Sequence, residues 1–399
     1  MRKKTITSIL LIAGTCIGSG TIAFPMVLAK LGIIPALIIM TIIWILNYYP
    51  SLSLAELNLR SEKGLSLGEL GKKISGKGAQ MIGEASVKVI SYALLTTYLY
   101  GSSSIIQKLL ESHLNCNFSI YFIESIIAFV GITLLLFPLK IVSAVNGMIS
   151  SCLLIGFALL LGTMVVLIDY TKIPWITNAS TLNIISVCPI MFAAYGYQLI
   201  IHTLRNYCGK DAVMIKKSIL FGSLIPTLLY MLWSCSSLCV IFKANPEFFS
   251  QVASGKVEVG EFVRQLANVS SLPDFQILVW LISILAIFTS FIGFSLGLVE
   301  SWNLTIQESV KNSVFQKLCS SIITIVPAYI IAAIVPNAFV KVFSFAGAMF
   351  VVTGILLPVY LLLKSGIETF KFNELKKLPL LICVLLGLCI MAVEIFINN

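Results

Sequence analysis

Three glycines and a proline interrupt the first apolar stretch of this chain, where residues 14–20 read GTCIGSG and Pro25 follows. Hydrocarbon tolerates the N–H and C=O groups that a broken helix exposes only where they face protein or a polar cavity. At mid-membrane such a cavity usually holds a substrate or an ion. The spacing of Gly14 and Gly18 is also typical of close helix packing, although a third glycine and a proline exceed what packing needs. The break therefore predicts a ligand site.

A second break of the same kind lies near the middle of the chain, where residues 188–198 read CPIMFAAYGYQ. Proline removes a backbone donor and clashes with the preceding helical turn, and glycine favours unwinding. Pro189 and Gly196 therefore predict a second interrupted helix, with polar aromatic residues on both sides of the glycine.

Two broken helices suit a ligand that carries both charges of an amino acid. The N–H groups at the start of a half-helix attract a carboxylate, and the carbonyls at the end of another accept from an ammonium. The residues that we expect to bind such a ligand are Thr15, Gly18, Ser19, Gly20, Tyr195, Gly196, Tyr197 and Gln198. Ordinary aromatic packing with a satisfied hydroxyl is an equal alternative for the two tyrosines.

Neighbouring hydroxyls at Thr289 and Ser290 lie within another apolar stretch. Such hydroxyls commonly bond back to a carbonyl one turn earlier in their own helix. They also suit a small hard cation, which prefers several oxygen ligands. The residues alone leave both interpretations open.

Glu56 and Glu300 lie at the ends of apolar stretches, where a gate or a proton relay could operate. Solvated charges at helix ends are the simpler interpretation. The ten cysteines are scattered and there are two histidines, so the sequence predicts no zinc site, no histidine triad and no cofactor.

Composition indicates that the elements holding these residues span a membrane. The 399 residues are 58% hydrophobic and 11% charged, against about 25% charged in soluble domains, and the mean hydropathy is +1.00. We predict an all-α polytopic protein with eleven spans at residues 6–29, 33–55, 81–106, 119–139, 142–168, 181–203, 218–242, 275–299, 318–335, 338–362 and 379–397. The first span is too long for a signal peptide and contains the glycine break.

The distribution of basic residues predicts the orientation. With the N-terminus in the cytoplasm, the cytoplasmic segments hold 19 lysines and arginines and the opposite side holds 7. The positive-inside rule then places the C-terminus outside. The net charge of +10 is consistent with contacts to anionic lipid rather than to nucleic acid.

The spans also predict internal symmetry within a single transmembrane domain that covers residues 1–399. Units of five spans, at about 6–168 and 181–363, would be inverted relative to each other, with an extra helix at 379–397. That arrangement brings the broken first helix of each unit together at mid-membrane.

The chain resembles the bacterial aromatic amino acid permeases, the tyrosine- and tryptophan-specific transporters of the amino acid/auxin permease group. The stretches that carry the resemblance are residues 14–25, 55–60, 195–197, 204–211 and 289–298. It implies a fold similar to the bacterial leucine transporter, with two inverted five-helix repeats plus one helix. It also implies that Thr289 and Ser290, with carbonyls of Gly14, Ile17 and Ala286, resemble that fold's second sodium site.

Two departures accompany the resemblance. The family is generally regarded as proton-coupled, and some proton-driven relatives place a lysine of span five in the cation site, whereas span five here has none after Lys140. A histidine commonly follows the aromatic motif of span six, where this chain has Gln198, with His202 one turn later. We therefore expect H⁺ or Na⁺ as coupling ion and consider His202 a possible relay.

The function expected from the sequence is import of a small aromatic amino acid, with tyrosine first, by a symporter of the bacterial inner membrane. Tryptophan or another neutral amino acid on the same fold is the alternative. A channel or a membrane enzyme is disfavoured, because the spans offer no ring of charges and no nucleophile with a partnering base. The sequence leaves the oligomeric state open.

Overall fold

The computed structural model describes residues 2–18, 20–178, 180–306, 312–335, 337–367, 370–372 and 375–396. Within these ranges the chain forms α-helices joined by short turns, with no strand. Helices are the expected solution for so apolar a chain, because each satisfies its own backbone hydrogen bonds.

The first predicted span is a bent pair of helices. Helix α1 covers Arg2–Cys16 and helix α2 covers Gly20–Leu28. Their axes differ by 54° across the break. Helix α3, Ile33–Leu59, follows after a short turn and returns across the bundle.

The next elements contain two long apolar helices, one shorter apolar helix and one short amphipathic helix. They are α4 (Leu67–Ser75), α5 (Lys77–Leu114), α6 (Ile120–Leu136) and α7 (Leu139–Leu167). A capping box, in which Ser66 and Glu69 bond to each other's backbone N–H, begins α4.

The second predicted break divides the sixth span. Helix α8, Thr181–Ala193, ends before Gly196, a short 3₁₀ turn covers Tyr197–Ile200, and helix α9 continues over Ile201–Cys208.

The remainder continues the helical bundle. Its elements are α10 (Ala212–Ala244), α11 (Pro246–Ala253), α12 (Val259–Ala267), α13 (Pro273–Ile306), α14 (Ser313–Ile334), α15 (Ala338–Val351), a π turn (Val352–Leu356), α16 (Leu357–Lys364) and α17 (Lys377–Phe396). The loop after α10 holds two short amphipathic helices, α11 and α12. They bury Phe248 and Val252, and Phe262, respectively.

Nine helical segments in the described ranges are long and apolar enough to cross a membrane, or ten with the bent pair α1–α2. The predicted span at 119–139 corresponds to α6, which is apolar but has only 17 residues. The protein is therefore an all-helical, multi-pass membrane protein. The total of eleven spans and the inverted repeat stay predictions.

Candidate functional site

The two breaks lie against each other in the interior of the bundle. The Cys16 thiol donates to the carbonyl of Tyr195 over 3.1 Å. A Cβ atom on Gly20 would lie 2.7 Å from the Cβ of Ala194. The end of α1 and the end of α8 therefore meet at one point.

Helix α10 holds both breaks at this point. The Tyr230 hydroxyl donates to the carbonyl of Cys16 and lies 3.4 Å from the carbonyl of Ala194. One turn further, the Trp233 indole N–H donates to the carbonyl of Thr21. The Cys16 and Ala194 carbonyls lie at helix ends, where the last carbonyls lack partners within the helix, and the Thr21 carbonyl lacks one because Pro25, four residues later, has no N–H. The donors on α10 satisfy these groups.

The second break depends on a left-handed residue. Gly196 has φ +45°, a conformation that side chains with a Cβ rarely adopt. Just before it, the Tyr195 hydroxyl lies 2.9 Å from the Thr227 hydroxyl on α10. The turn thus interrupts the span while its flanking tyrosine is fixed to α10.

A cavity of about 840 Å³ begins at the two breaks. At the breaks it is lined by Gly14, Thr15, Ile17, Gly196, Thr289 and Ser290. It extends to the end of the bundle where α4 lies, which we call the α4 end, and reaches Ser66, Glu69 and Thr305 there. Its volume is within the range of small-molecule sites, roughly 300–1,000 Å³.

The hydroxyls of α13 meet the first break at this cavity. Thr289 Oγ1 and Ser290 Oγ donate to the Ala286 carbonyl over 3.2 and 3.1 Å. A Cβ atom on Gly18 would lie 2.1 Å from Ser290 Oγ and 3.7 Å from the Ala286 carbonyl oxygen. Oxygen atoms of α13 therefore lie beside the end of α1, while the hydroxyls also bond back to their own helix.

Comparison with known proteins identifies the family. A sequence profile described as the tryptophan/tyrosine permease family matches residues 1–396. The chain belongs to the tryptophan/tyrosine permease family. The permease is 27% identical to a protein named tyrosine-specific transport system 1 from Haemophilus influenzae, over 91% of this chain and 88% of the relative.

Other relatives carry different substrate names. A tryptophan-specific transport protein of Pseudomonas aeruginosa is 24% identical over 90% of this chain and 85% of its own length. A protein named glutamine transporter 2 from Aliivibrio fischeri is 23% identical over 90% and 88%. These relatives are transport proteins rather than enzymes, so the permease is placed among amino acid transporters.

The residues predicted to bind substrate fall into two groups in the permease. Thr15 and Gly196 line the cavity, whereas Gly18 and Gly20 are buried between packed helices. Ser19 lies outside the described residues. The structure therefore places part of the predicted set at the cavity wall.

The side chains of Tyr195, Tyr197 and Gln198 do not belong to the cavity lining and are at most 2% exposed. The left-handed turn at Gly196 directs them into the bundle, where Gln198 Nε2 donates to Asn47 Oδ1 on α3 over 2.6 Å. Packing with a satisfied hydroxyl thus describes Tyr195, whose hydroxyl bonds to Thr227, whereas the Tyr197 hydroxyl is buried and has no hydrogen-bond partner among the described residues. These side chains affect the cavity indirectly, because they hold the turn at Gly196, which lines it.

The three residues predicted as gate or relay occupy different environments. Glu56 is fully buried, accepts from Arg60 Nε over 2.9 Å and accepts from the backbone N–H of Lys371 over 2.9 Å. A solvated helix-end charge is therefore the wrong interpretation for Glu56, because its carboxylate joins α3 to the chain before α17. Glu300 is exposed on α13, and His202 lines the cavity beside the Thr203 hydroxyl.

Three buried groups were not predicted from the sequence. Glu124 on α6 and Glu394 on α17 are buried, and Tyr230 joins the two breaks. The two carboxyl groups could have been identified from the sequence, since an acidic residue inside an apolar span is rare and usually functional. Tyr230 had none, because a tyrosine in an apolar helix is unremarkable until its partner is known.

Proposed function

We propose that the permease is a proton-coupled secondary transporter that imports an aromatic amino acid, with tyrosine as its main substrate, across the bacterial inner membrane. The observation that carries the proposal is the cavity that joins both helix breaks to the α4 end of the bundle. It offers backbone groups of two broken helices to a ligand at one end and a route to solvent at the other.

The chemistry of the breaks matches the two charges of an amino acid. Gly14, Thr15 and Ile17 bring the last turn of α1 to the cavity, where its carbonyls suit an ammonium, and the N–H groups at the start of α2, which begins at Gly20, suit a carboxylate. The wall between the breaks and the α4 end is largely apolar, with Leu153, Leu199 and Phe294. An aromatic side chain would bury its ring against these residues.

The distribution of basic residues indicates that this cavity opens toward the cytoplasm. The α4 end carries Lys72, Lys73 and the start of α1, and the positive-inside rule assigns this end to the cytoplasm. The described conformation would then be the one that releases substrate to the cytoplasm.

The proposal is tested by counterflow and uptake in proteoliposomes that contain the purified permease. We expect tyrosine to accumulate under an inward proton gradient without sodium, and unlabelled tryptophan and phenylalanine to compete better than leucine or glutamine. Accumulation only under a sodium gradient would contradict proton coupling. Competition by glutamine alone would contradict the aromatic assignment.

A second candidate function is a transporter of the same fold that is coupled to sodium or that carries a different neutral amino acid. The Thr289 and Ser290 hydroxyls and the Ala286 carbonyl provide three oxygen atoms beside the end of α1, as a sodium ion would need. A relative named for glutamine widens the set of neutral amino acids to be tested. The same uptake experiment, with separate sodium and proton gradients, separates this candidate from the first.

A further inference from the structure

Glu124 is a buried carboxyl group without a partner. Its side chain lies one turn inside α6, is 0% exposed, and neither oxygen atom has a hydrogen-bond partner among the described residues. Buried polar groups are normally paired, and an ionised carboxylate in such a place is strongly disfavoured. In this conformation the group is therefore expected to carry a proton.

Helix α5, which packs against α6, carries a polar group at the same end of the bundle, the Tyr100 hydroxyl. Tyr100 donates to Glu258 Oε1 over 3.2 Å, and Glu258, the residue before α12, is half-buried. Since α12 packs against α5 through Gly260 and Ser104, these groups lie at the end of the bundle away from α4, which we call the α12 end.

Two basic side chains at the α12 end, Lys108 and Arg264, are engaged by other carboxylates. Lys108 bonds to Glu111 over 2.6 Å, and Arg264 pairs with Glu261 and Glu111 over 2.7 and 3.7 Å. The other ionisable groups on the nearby halves of the helices packed against α6 are Tyr98 and His113 on α5, Tyr329 on α14 and Asp274 on α13. The described half of α7 at this end carries no charged residue, and no described residue forms an ion pair or hydrogen bond with the Glu124 carboxyl group.

We propose that Glu124 binds the proton that the transport cycle carries, and that Glu258 and Tyr100 load it from the α12 end. In the loading step, in a conformation that brings the Tyr100 hydroxyl within hydrogen-bond distance of Glu124, Tyr100 gives its hydroxyl proton to the Glu124 carboxylate and takes one from the Glu258 carboxyl group. One proton thus passes from Glu258 to Glu124, and Glu258 regains its proton from solvent. This inference rests on the proposed proton symport and assigns a group to it.

The test compares isosteric variants in proteoliposomes, measuring tyrosine accumulation under a proton gradient and tyrosine-for-tyrosine exchange without a gradient. Glu124→Gln keeps the shape but cannot release a proton, so accumulation is expected to fall roughly tenfold, a typical coupling effect, while exchange persists. Glu124→Asp retains a titratable group and is expected to accumulate with a shifted pH profile. Glu247→Gln, at an exposed carboxylate on α11, is the control and should resemble the wild type.

A separate variant tests the loading route. Tyr100→Phe should slow the rate of accumulation while leaving its final extent unchanged, because the destination of the proton is intact. An unchanged rate would remove Tyr100 and Glu258 from the proposal.

Three other outcomes decide the main claim. Full accumulation by Glu124→Gln would overturn the inference and leave proton symport standing. Loss of exchange together with accumulation would assign Glu124 a structural role and also overturn it. Wild-type permease that responds to sodium alone would contradict the proposed coupling, and the role of Glu124 with it.

Discussion

Ser290 lies so close to Gly18 that a Cβ atom on the glycine would stand 2.1 Å from the serine Oγ. Helix α13 therefore contacts the backbone of the first break directly, without an intervening side chain. Any side chain at position 18 must displace either Ser290 or the end of α1.

Gly18→Leu is expected to abolish tyrosine uptake while the protein still inserts into the membrane. The added side chain cannot fit against Ser290 and would move the break away from the cavity. Uptake and the amount of protein in the membrane are measured together. Gly162→Leu is the control, since that glycine is exposed and a Cβ there meets no atom within 4 Å. Normal uptake by inserted Gly18→Leu would contradict the placement of the site.

The double change Thr289→Ala and Ser290→Ala separates packing from ion binding. If the hydroxyls only bond to the Ala286 carbonyl, transport should survive, because intramembrane side-chain bonds average roughly 0.6 kcal/mol. If they organise an ion site, accumulation against a gradient should collapse while exchange partly persists. We expect the second result. Unchanged accumulation would leave these residues a packing role.

Tyr230→Phe removes one hydroxyl and leaves the Cys16 carbonyl without its donor in the bundle. A buried acceptor left unpaired costs about 1–3 kcal/mol, so a lower unfolding temperature and a higher KM for substrate are expected. Thermal unfolding and uptake kinetics measure these effects. Tyr329→Phe, whose hydroxyl bonds to Ser125 away from the breaks, is the matched control. Equal behaviour of the two variants would show that Tyr230 does not position the breaks.

The Asn47–Gln198 pair is expected to fix the turn of the second break. Gln198→Leu removes the Nε2 group that donates to Asn47 Oδ1, while Gln198→His retains a donor. We expect the leucine variant to lose substrate affinity and the histidine variant to keep most of it. Binding is measured by thermal stabilisation with added tyrosine. Equal affinity in both variants would contradict a role for this pair.

The positions of the breaks could be predicted because their signal is local. Glycine and proline change the backbone wherever they occur, so residues 14–20 and Gly196 identified the interruptions from the chain alone. Span positions were equally accessible, since hydropathy acts over a window of one helix.

The directions of side chains at the breaks could not be predicted in the same way. The side chains after the break differ from a binding set through the left-handed turn at Gly196 and through the polar partners of Tyr195 on α10 and of Gln198 on α3. Those partners are far away in the sequence. The burial of Glu56 could not be predicted for the same reason, because its second oxygen accepts from a backbone N–H more than 300 residues later.

The contact between Glu56 and residue 371 has a consequence for sequence variation. Glu56 recognises the main-chain N–H of Lys371, so the bond is indifferent to the side chain at that position. Most substitutions at 371 should therefore be neutral, and proline, which has no N–H, should detach the linker before α17 from α3. Random mutagenesis of position 371 should therefore recover most residue types and exclude proline.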